Sequence, residues 1–161
     1  GGGGGVAACG RACVDYEPYL RAEDCEAEHA VGLDVDGVLN RAGFVTIHMP
    51  LTDETVRLFN AKSISEMKDD AVVLNMARGG IVNEQDMYEA LKAGKIGGYA
   101  SAVMENELAA GGLTEGAGFD SPLFQCDNFI VTPHLGAQTV DASRDIGAHI
   151  ISKVKEALNL G

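Results

Sequence analysis

Residues 71–82 read AVVLNMARGGIV, and the fold turns on how this stretch is interpreted. The apolar run Ala71 to Met76 has the length of a strand, and its continuity predicts a strand buried on both faces of a parallel sheet. The run stops at Arg78-Gly79-Gly80, where glycine permits backbone conformations closed to other residues. Asn83 then opens a helical stretch, NEQDMYEALKAG, with Asp86 three residues on in an arrangement close to a capping box. The unit is therefore a strand, a tight glycine turn and a helix, with one guanidinium at the turn. In an open α/β sheet, ligands bind outside the carboxyl ends of the strands. Arg78 brings to that place a fixed charge and a planar fork of donors suited to a carboxylate.

The flanking sequence repeats the pattern. Upstream, Phe44 to Met49 reads as a buried strand, stopped by Pro50, which cannot supply a ladder hydrogen bond. Thr52 with Asp53 predicts the cap of a helix from Glu54 to Asn60. Ser63 to Met67 adds one helical turn, and Lys68-Asp69-Asp70 a polar turn before the central strand. Earlier still, residues 11–16 (RACVDY) predict a short strand ending at Glu17-Pro18, residues 21–30 an acidic helix containing His29, and Asp36 to Ala42 another helix. Downstream, Ile96 to Val103 reads as a strand whose two glycines imply close backbone packing. A long loop follows, opening with Glu105 and Glu107, of a length that suggests function. Ser121 to Cys126 predicts a turn or short helix, Phe129 to Thr132 the last strand, and Thr139 the start of a terminal helix. Ile146, Ile150, Val154 and Leu158 give that helix one apolar stripe. Strands alternating with helices indicate βαβ units and a parallel sheet, an α/β fold.

Composition narrows the function classes. A chain of 161 residues, 46% hydrophobic, suffices for one domain with a core. Its net charge of −12 argues against a nucleic-acid surface, which needs basic patches. No apolar run approaches the ~20 residues of a membrane span. Cys9, Cys13, Cys25 and Cys126 show no zinc-ligand spacing and read as buried or free thiols in a reducing, cytoplasmic compartment. No metal is expected. The opening GGGGGVAACG lacks an initiator methionine, so the chain is expected to be part of a longer protein. Without a preceding strand, Gly1 to Gly5 reads as a linker and not as a phosphate loop.

Arg78, Glu107 and His134 each fall just past a different predicted strand. In a doubly wound sheet those ends share one rim, so the three are expected to converge there. His exchanges protons near neutral pH, a carboxylate can orient it, and Arg can hold an anionic substrate. His48, inside an apolar strand, is read as structural. Glu17 on its own is read as a solvated loop carboxylate.

FVTIHMPLTDET, VVLNMARGGIVNEQDMYEALKAGKIGG and NFIVTPHLGAQT resemble the NAD-dependent D-2-hydroxyacid dehydrogenases, with the phosphoglycerate dehydrogenase branch nearest. The resemblance implies a Rossmann-type doubly wound parallel sheet. It covers 11–138 as the C-terminal part of an NAD-binding domain, with 1–10 an unassigned glycine-rich start and 139–161 a terminal helix leading toward a substrate domain. Arg78 corresponds to the family's substrate-binding arginine, Glu107 to its glutamate and His134 to its acid/base histidine. Glu17, in YEPYL, corresponds to the acid on the adenosine ribose. Met49, Met76, Ala77, Leu135, Gly136 and Ala137 match positions that line NAD. The reaction implied is hydride exchange between NAD and a 2-hydroxy acid, with 3-phosphoglycerate first and glyoxylate or hydroxypyruvate as alternatives. Serine biosynthesis and a homodimer are implied with it.

Three departures accompany the resemblance. The first βα phosphate-binding unit is not visible, Ala102 stands where the family has a cofactor-contacting aspartate, and Leu108 replaces the proline after the glutamate. These departures leave open a non-catalytic dehydrogenase-like module for dimerisation or corepression. They also lead to the expectation of weak or no turnover from these residues alone.

Overall fold

A computed structural model describes residues 13–16, 30–105, 120–135 and 139–157. Strands β1 (Cys13–Asp15) and β2 (Ala30–Gly32) pair in parallel, and helix α1 (Val35–Arg41) follows, capped by the Asp34 carboxylate on the Gly37 N–H. Then come β3 (Phe44–Ile47), α2 (Ala61–Glu66), β4 (Ala71–Asn75), α3 (Glu84–Lys92) and β5 (Ile96–Ser101). A single 3₁₀ turn (Pro122–Gln125), β6 (Phe129–Val131) and α4 (Val140–Ala157) complete the order. β3, β4, β5 and β6 form one sheet in that sequence, every neighbouring pair parallel. The α/β expectation holds.

β4 lies inside the sheet, and Ala71, Val73 and Asn75 on one of its faces are fully buried. Val72 and Leu74 on the other face are half-buried, so the burial of two faces expected of this strand is complete on one only. α3 covers the core with Met87, Ala90 and Leu91, the i, i+3, i+4 spacing of a single helical stripe. It starts where Asn83 accepts from the Gln85 and Asp86 N–H groups, and it ends before Gly94 in the left-handed region at φ 71°. Gly97 forms a bulge against β4, where a Cβ would press on the Asp70 carbonyl. This is the close packing its sequence suggests. Tyr99 and Phe129 stack at 5.4 Å between β5 and β6.

Several local expectations are corrected. The segment Glu54 to Asn60 is not a helix. Thr52 closes one turn through its carbonyl, accepting from the Val56 N–H at 2.9 Å, and the chain then turns at Arg57, at φ 51°. From there it runs beside the glycine turn, with the Arg57 N–H on the Gly80 carbonyl (2.7 Å), the Phe59 N–H on Ile81 (3.1 Å) and the Asn83 N–H on Phe59 (2.8 Å). Phe59 and Val82 form a parallel bridge, so long-range backbone bonding displaces the helix. The helix begins instead at Asn60, whose side chain accepts from the Ser63 N–H while Ser63 Oγ accepts from the Asn60 N–H. The capping box thus belongs to α2 and not to α3. Asp86, its expected partner in α3, accepts from the Ala61 N–H at 2.9 Å and ties the two helices together. β2 was not expected, because three residues with a terminal glycine carry no periodic signal. β3 alternates, with Val45 and Ile47 buried and Phe44 exposed, and it ends before His48 and Met49. β5 likewise ends at Ser101, before Val103. On α4, Ile146 and Ile150 of the predicted stripe are exposed among the described residues. Of the acidic helix expected over 21–30, Ala30 instead opens β2, and 21–29 lie outside the described residues.

Met87 has no exposed surface. Met87→Ala is expected to lower unfolding stability by about 2–5 kcal/mol in urea titrations with an unchanged m-value. Gln85→Ala, on the exposed side of the same helix, is expected to stay within about 0.5 kcal/mol.

Candidate active site

Because the four strands run parallel, their carboxyl ends lie along one rim. His48-Met49-Pro50 leaves β3, Met76-Ala77-Arg78-Gly79 leaves β4, Ala102-Val103-Met104-Glu105 leaves β5, and Thr132-Pro133-His134-Leu135 leaves β6. Two backbone bonds continue the ladder past the strands proper. The Ala102 N–H donates to the Asn75 carbonyl and the Thr132 N–H to the Ser101 carbonyl, each at 2.9 Å. The segments bearing Arg78 and His134 are therefore held in register on either side of the β5 exit. Two strand spacings put the ends of β4 and β6 about 10 Å apart.

The Arg78 turn is held from below and from the side. Asn75, 1% exposed, accepts from the Ala77 N–H at 3.1 Å and donates Nδ2 to the Arg78 carbonyl at 3.0 Å. Gly79 has no room for a side chain, since a Cβ there would collide with the Met104 carbonyl. Gly80 takes φ 81°. The guanidinium of Arg78 is exposed and donates Nη1 to the Ala77 carbonyl at 2.7 Å. Among the described residues no carboxylate forms an ion pair with it. An exposed cation without a protein anion at a strand-end rim is suited to an anionic ligand.

His134 is half-buried and sits at φ 51°, a left-handed conformation uncommon outside glycine. Such backbone geometry persists only where its surroundings impose it, and it clusters at functional positions. His48 is exposed, with its Nε2 2.8 Å from Thr46 Oγ1. Met49 is half-buried. Met76 is 37% and Leu135 51% exposed, whereas the methyl groups of Ala77 and Ala102 are buried. Glu107, Glu17, Gly136 and Ala137 lie outside the described residues.

The geometry also gives Glu105, one of the two carboxylates noted at the start of the long loop, partners that the sequence did not single out. Glu105 is bonded through its Oε1 by Arg57 Nε at 3.2 Å and Nη2 at 3.0 Å. Its N–H donates to Glu84 Oε1 at 2.6 Å, while Ser121 Oγ donates to Glu84 Oε2 at 2.6 Å. One carboxylate at the start of α3 thus fastens the chain leaving β5 and the chain approaching the 3₁₀ turn. These partners are too far apart in sequence to have left a local signal. Asn75 did leave one, as a lone amide in an apolar strand, which has to find hydrogen bonds when buried.

Beneath the rim, the Tyr99 hydroxyl lies 3.3 Å from Ser101 Oγ, which in turn donates to the Val103 carbonyl at 2.6 Å. Burial pushes the Tyr99 phenol from 10.0 up to about 12, opposed by hydrogen bonds from Ser101 and Asn75 and helped by the charges of Glu84 and Glu105.

Comparison with known proteins gives a consistent picture. A family model described as "D-isomer specific 2-hydroxyacid dehydrogenase, NAD binding domain" matches residues 5–136. The D-3-phosphoglycerate dehydrogenase of Methanocaldococcus jannaschii is 36% identical over 152 residues, covering 94% of this chain and 27% of that protein. The hydroxypyruvate reductase of Thermotoga maritima is 31% identical over 153 residues, covering 95% of this chain and 47% of that one. Among solved structures, D-lactate dehydrogenase from Aquifex aeolicus, complexed with NAD and lactic acid, superposes with a TM-score of 0.77 at 30% identity. That match covers 95% of this chain and 48% of the other. The chain thus spans between about a quarter and a half of the relatives it matches.

A phenol whose pKa is higher folded than unfolded contributes stability that is complete below the unfolded value and is lost as pH rises through the folded one. Stability is therefore expected to fall between about pH 10 and 12, with Tyr99 adding up to about 1.4 kcal/mol per pH unit. Denaturant titrations of the wild type and of Tyr99→Phe across that range check this, and the variant is expected to lose that part of the slope.

Proposed function

Since the chain belongs to the D-isomer specific 2-hydroxyacid dehydrogenase family through its NAD binding domain, we propose that the protein carrying it exchanges hydride between NAD and a D-2-hydroxy acid. 3-Phosphoglycerate is the first choice of substrate, in keeping with the phosphoglycerate dehydrogenases among its relatives, and hydroxypyruvate or glyoxylate is the alternative. This assignment would place the protein in serine biosynthesis, acting in the cytoplasm as a homodimer. The observation that carries the reading is the shared rim: Arg78 and His134 follow strands of one parallel sheet with a single strand between them.

Arg78 would grip the substrate carboxylate and the oxygen on C2, using guanidinium donors that no protein carboxylate occupies among the described residues. His134 would take the hydroxyl proton in the oxidative direction and return it in the reductive one. Glu107 would orient the imidazole and stabilise its protonated form. When bound, NAD supplies the hydride acceptor. Met76 and Leu135, close to Arg78 and His134 along the chain, expose apolar surface that would suit the nicotinamide end of that cofactor. Met49 would line the same side. Ala77 and Ala102, with buried methyl groups, would offer backbone. Gly136 and Ala137 would continue the lining, and Glu17 would accept from the adenosine ribose.

Ala102 favours a second reading, since an aspartate occupies that place in the resembled family. On that reading the domain binds partners and does not catalyse. One variant separates the two. In the protein carrying these residues, His134→Asn is expected to lower kcat for NADH-dependent reduction of hydroxypyruvate by about 10²–10⁴-fold. Unchanged turnover, or no turnover by the wild type with either 3-phosphoglycerate or hydroxypyruvate, would favour the module instead.

A further inference from the structure

Resting on the reading that Arg78 holds the substrate carboxylate, we infer that Asn75 is the positioning residue that aims the Arg78 guanidinium. Asn75 ends β4 on the face that buries Ala71 and Val73, where an apolar side chain would be the ordinary occupant. Asn75 is 1% exposed, and both ends of its amide bond the turn, with the Tyr99 hydroxyl as a further neighbour. Oδ1 receives the Ala77 N–H at 3.1 Å, and Nδ2 donates to the Arg78 carbonyl at 3.0 Å. The chemistry of those two partners leaves the amide only one orientation, since an N–H needs the oxygen and a carbonyl needs the nitrogen.

These two bonds fix the peptide planes on either side of the one joining Ala77 to Arg78. The carbonyl of that middle plane, Ala77 O, is the acceptor on which the guanidinium rests, through Nη1 at 2.7 Å. With both neighbours clamped, the carbonyl points in one direction, and the guanidinium lying on it presents its remaining N–H groups to the rim. From the other side, Gly79 packs against the Met104 carbonyl and keeps the turn from drifting away from β5. The Asn75 carbonyl takes the Ala102 N–H at 2.9 Å, so the residue that aims Arg78 also registers the β5 exit. Asn75 touches no reacting atom in this arrangement and acts through Arg78.

Asn75→Asp tests the inference through its pH profile. In that variant an ionised carboxylate keeps the acceptor for Ala77 but loses the donor for Arg78, and it turns a negative oxygen toward a carbonyl. When protonated, the same side chain regains an O–H donor. The Tyr99 phenol from β5 and Arg78 itself lie against it, and the carboxylates of Glu84 from α3 and Glu105 beyond β5 act on that same phenol. In the protein carrying these residues, with NADH and hydroxypyruvate as the probe, the variant's KM for hydroxypyruvate is expected to rise about 100-fold at neutral pH. Relative to the wild type at each pH, it is expected to recover as the solution is acidified. Asn75→Leu, which cannot donate at any pH, should show no recovery. A purely structural role would lower Tm without a pH-dependent KM ratio. That result, or an Asn75→Asp variant matching the wild type throughout, overturns the inference.

Arg78→Ala separates this outcome from failure of the underlying reading. If that variant leaves KM unchanged, Arg78 is not the anion anchor; if it raises KM while Asn75→Asp does not, only the role of Asn75 falls. Should the Asn75 variants fail to fold, amide exchange in the wild type decides. The Ala77 N–H is expected to be protected at least about 100-fold over a free peptide, and exchange at the free-peptide rate refutes the bond on which the inference stands.

Discussion

The turn after β4 presses against the chain after β5 so closely that residue 79 has no space for a side chain. That contact, with the Ala102 N–H on the Asn75 carbonyl, sets the height of the Arg78 turn relative to the β5 exit. The Thr132 N–H on the Ser101 carbonyl then sets the β6 exit relative to β5. Three polypeptide segments leave the sheet in a fixed stagger, and the candidate groups inherit their spacing from the backbone. Parallel pairing makes this possible, because all the exits fall on one side, as an antiparallel sheet would not arrange.

Around this frame the polar residues divide into two kinds. Arg57 and Glu105 form an ion pair with the arginine largely exposed, a type of contact that contributes little stability in water. Its value is geometric, since Arg57 is also bonded through its backbone to Gly80 and so links the loop after β3 to both neighbouring exits. Asn75, Ser101 and Tyr99 are of the second kind. They are buried, mutually bonded, and leave no buried side-chain polar atom without a partner among the described residues. A satisfied polar group under a rim rigidifies what stands on it, whereas an unsatisfied one would destabilise the same place. The net charge of −12 has little bearing here. At physiological ionic strength, charges farther away than about 8 Å are largely screened, and the local field at the rim includes an exposed guanidinium.

Much of this frame was legible in the amino-acid sequence. The strand Ala71–Asn75, its glycine turn and α3 were plain, because a buried run, a helix breaker and a side-chain cap all act within a few residues. The placement of Arg78 and His134 after strand ends followed from the same local reading. Glu54 to Asn60 misled. Thr52 and Asp53 look like a helix cap, but bonds from Arg57 and Phe59 to Gly80 and Ile81 outcompete the helix. Sequence alone gives no sign of such partners, which lie more than twenty positions away. β2 was missed because a three-residue strand has no period to detect. Asp86 looked like half of a capping box and instead serves the neighbouring helix.

The sequence by itself determined the alternation of strands and helices, the parallel sheet it implies, the glycine turn with its arginine, and the resemblance of three long segments to one dehydrogenase family. Those properties are written in spacing and in short-range chemistry, where each residue's neighbours along the chain suffice. Only the tertiary structure decided which partners hold the rim: Asn75 under Arg78, Glu84 fastening Glu105 and Ser121, and Gly79 against Met104. A hydrogen bond or a steric contact between distant residues depends on where the backbone has already gone, and that depends on the packing of the whole sheet.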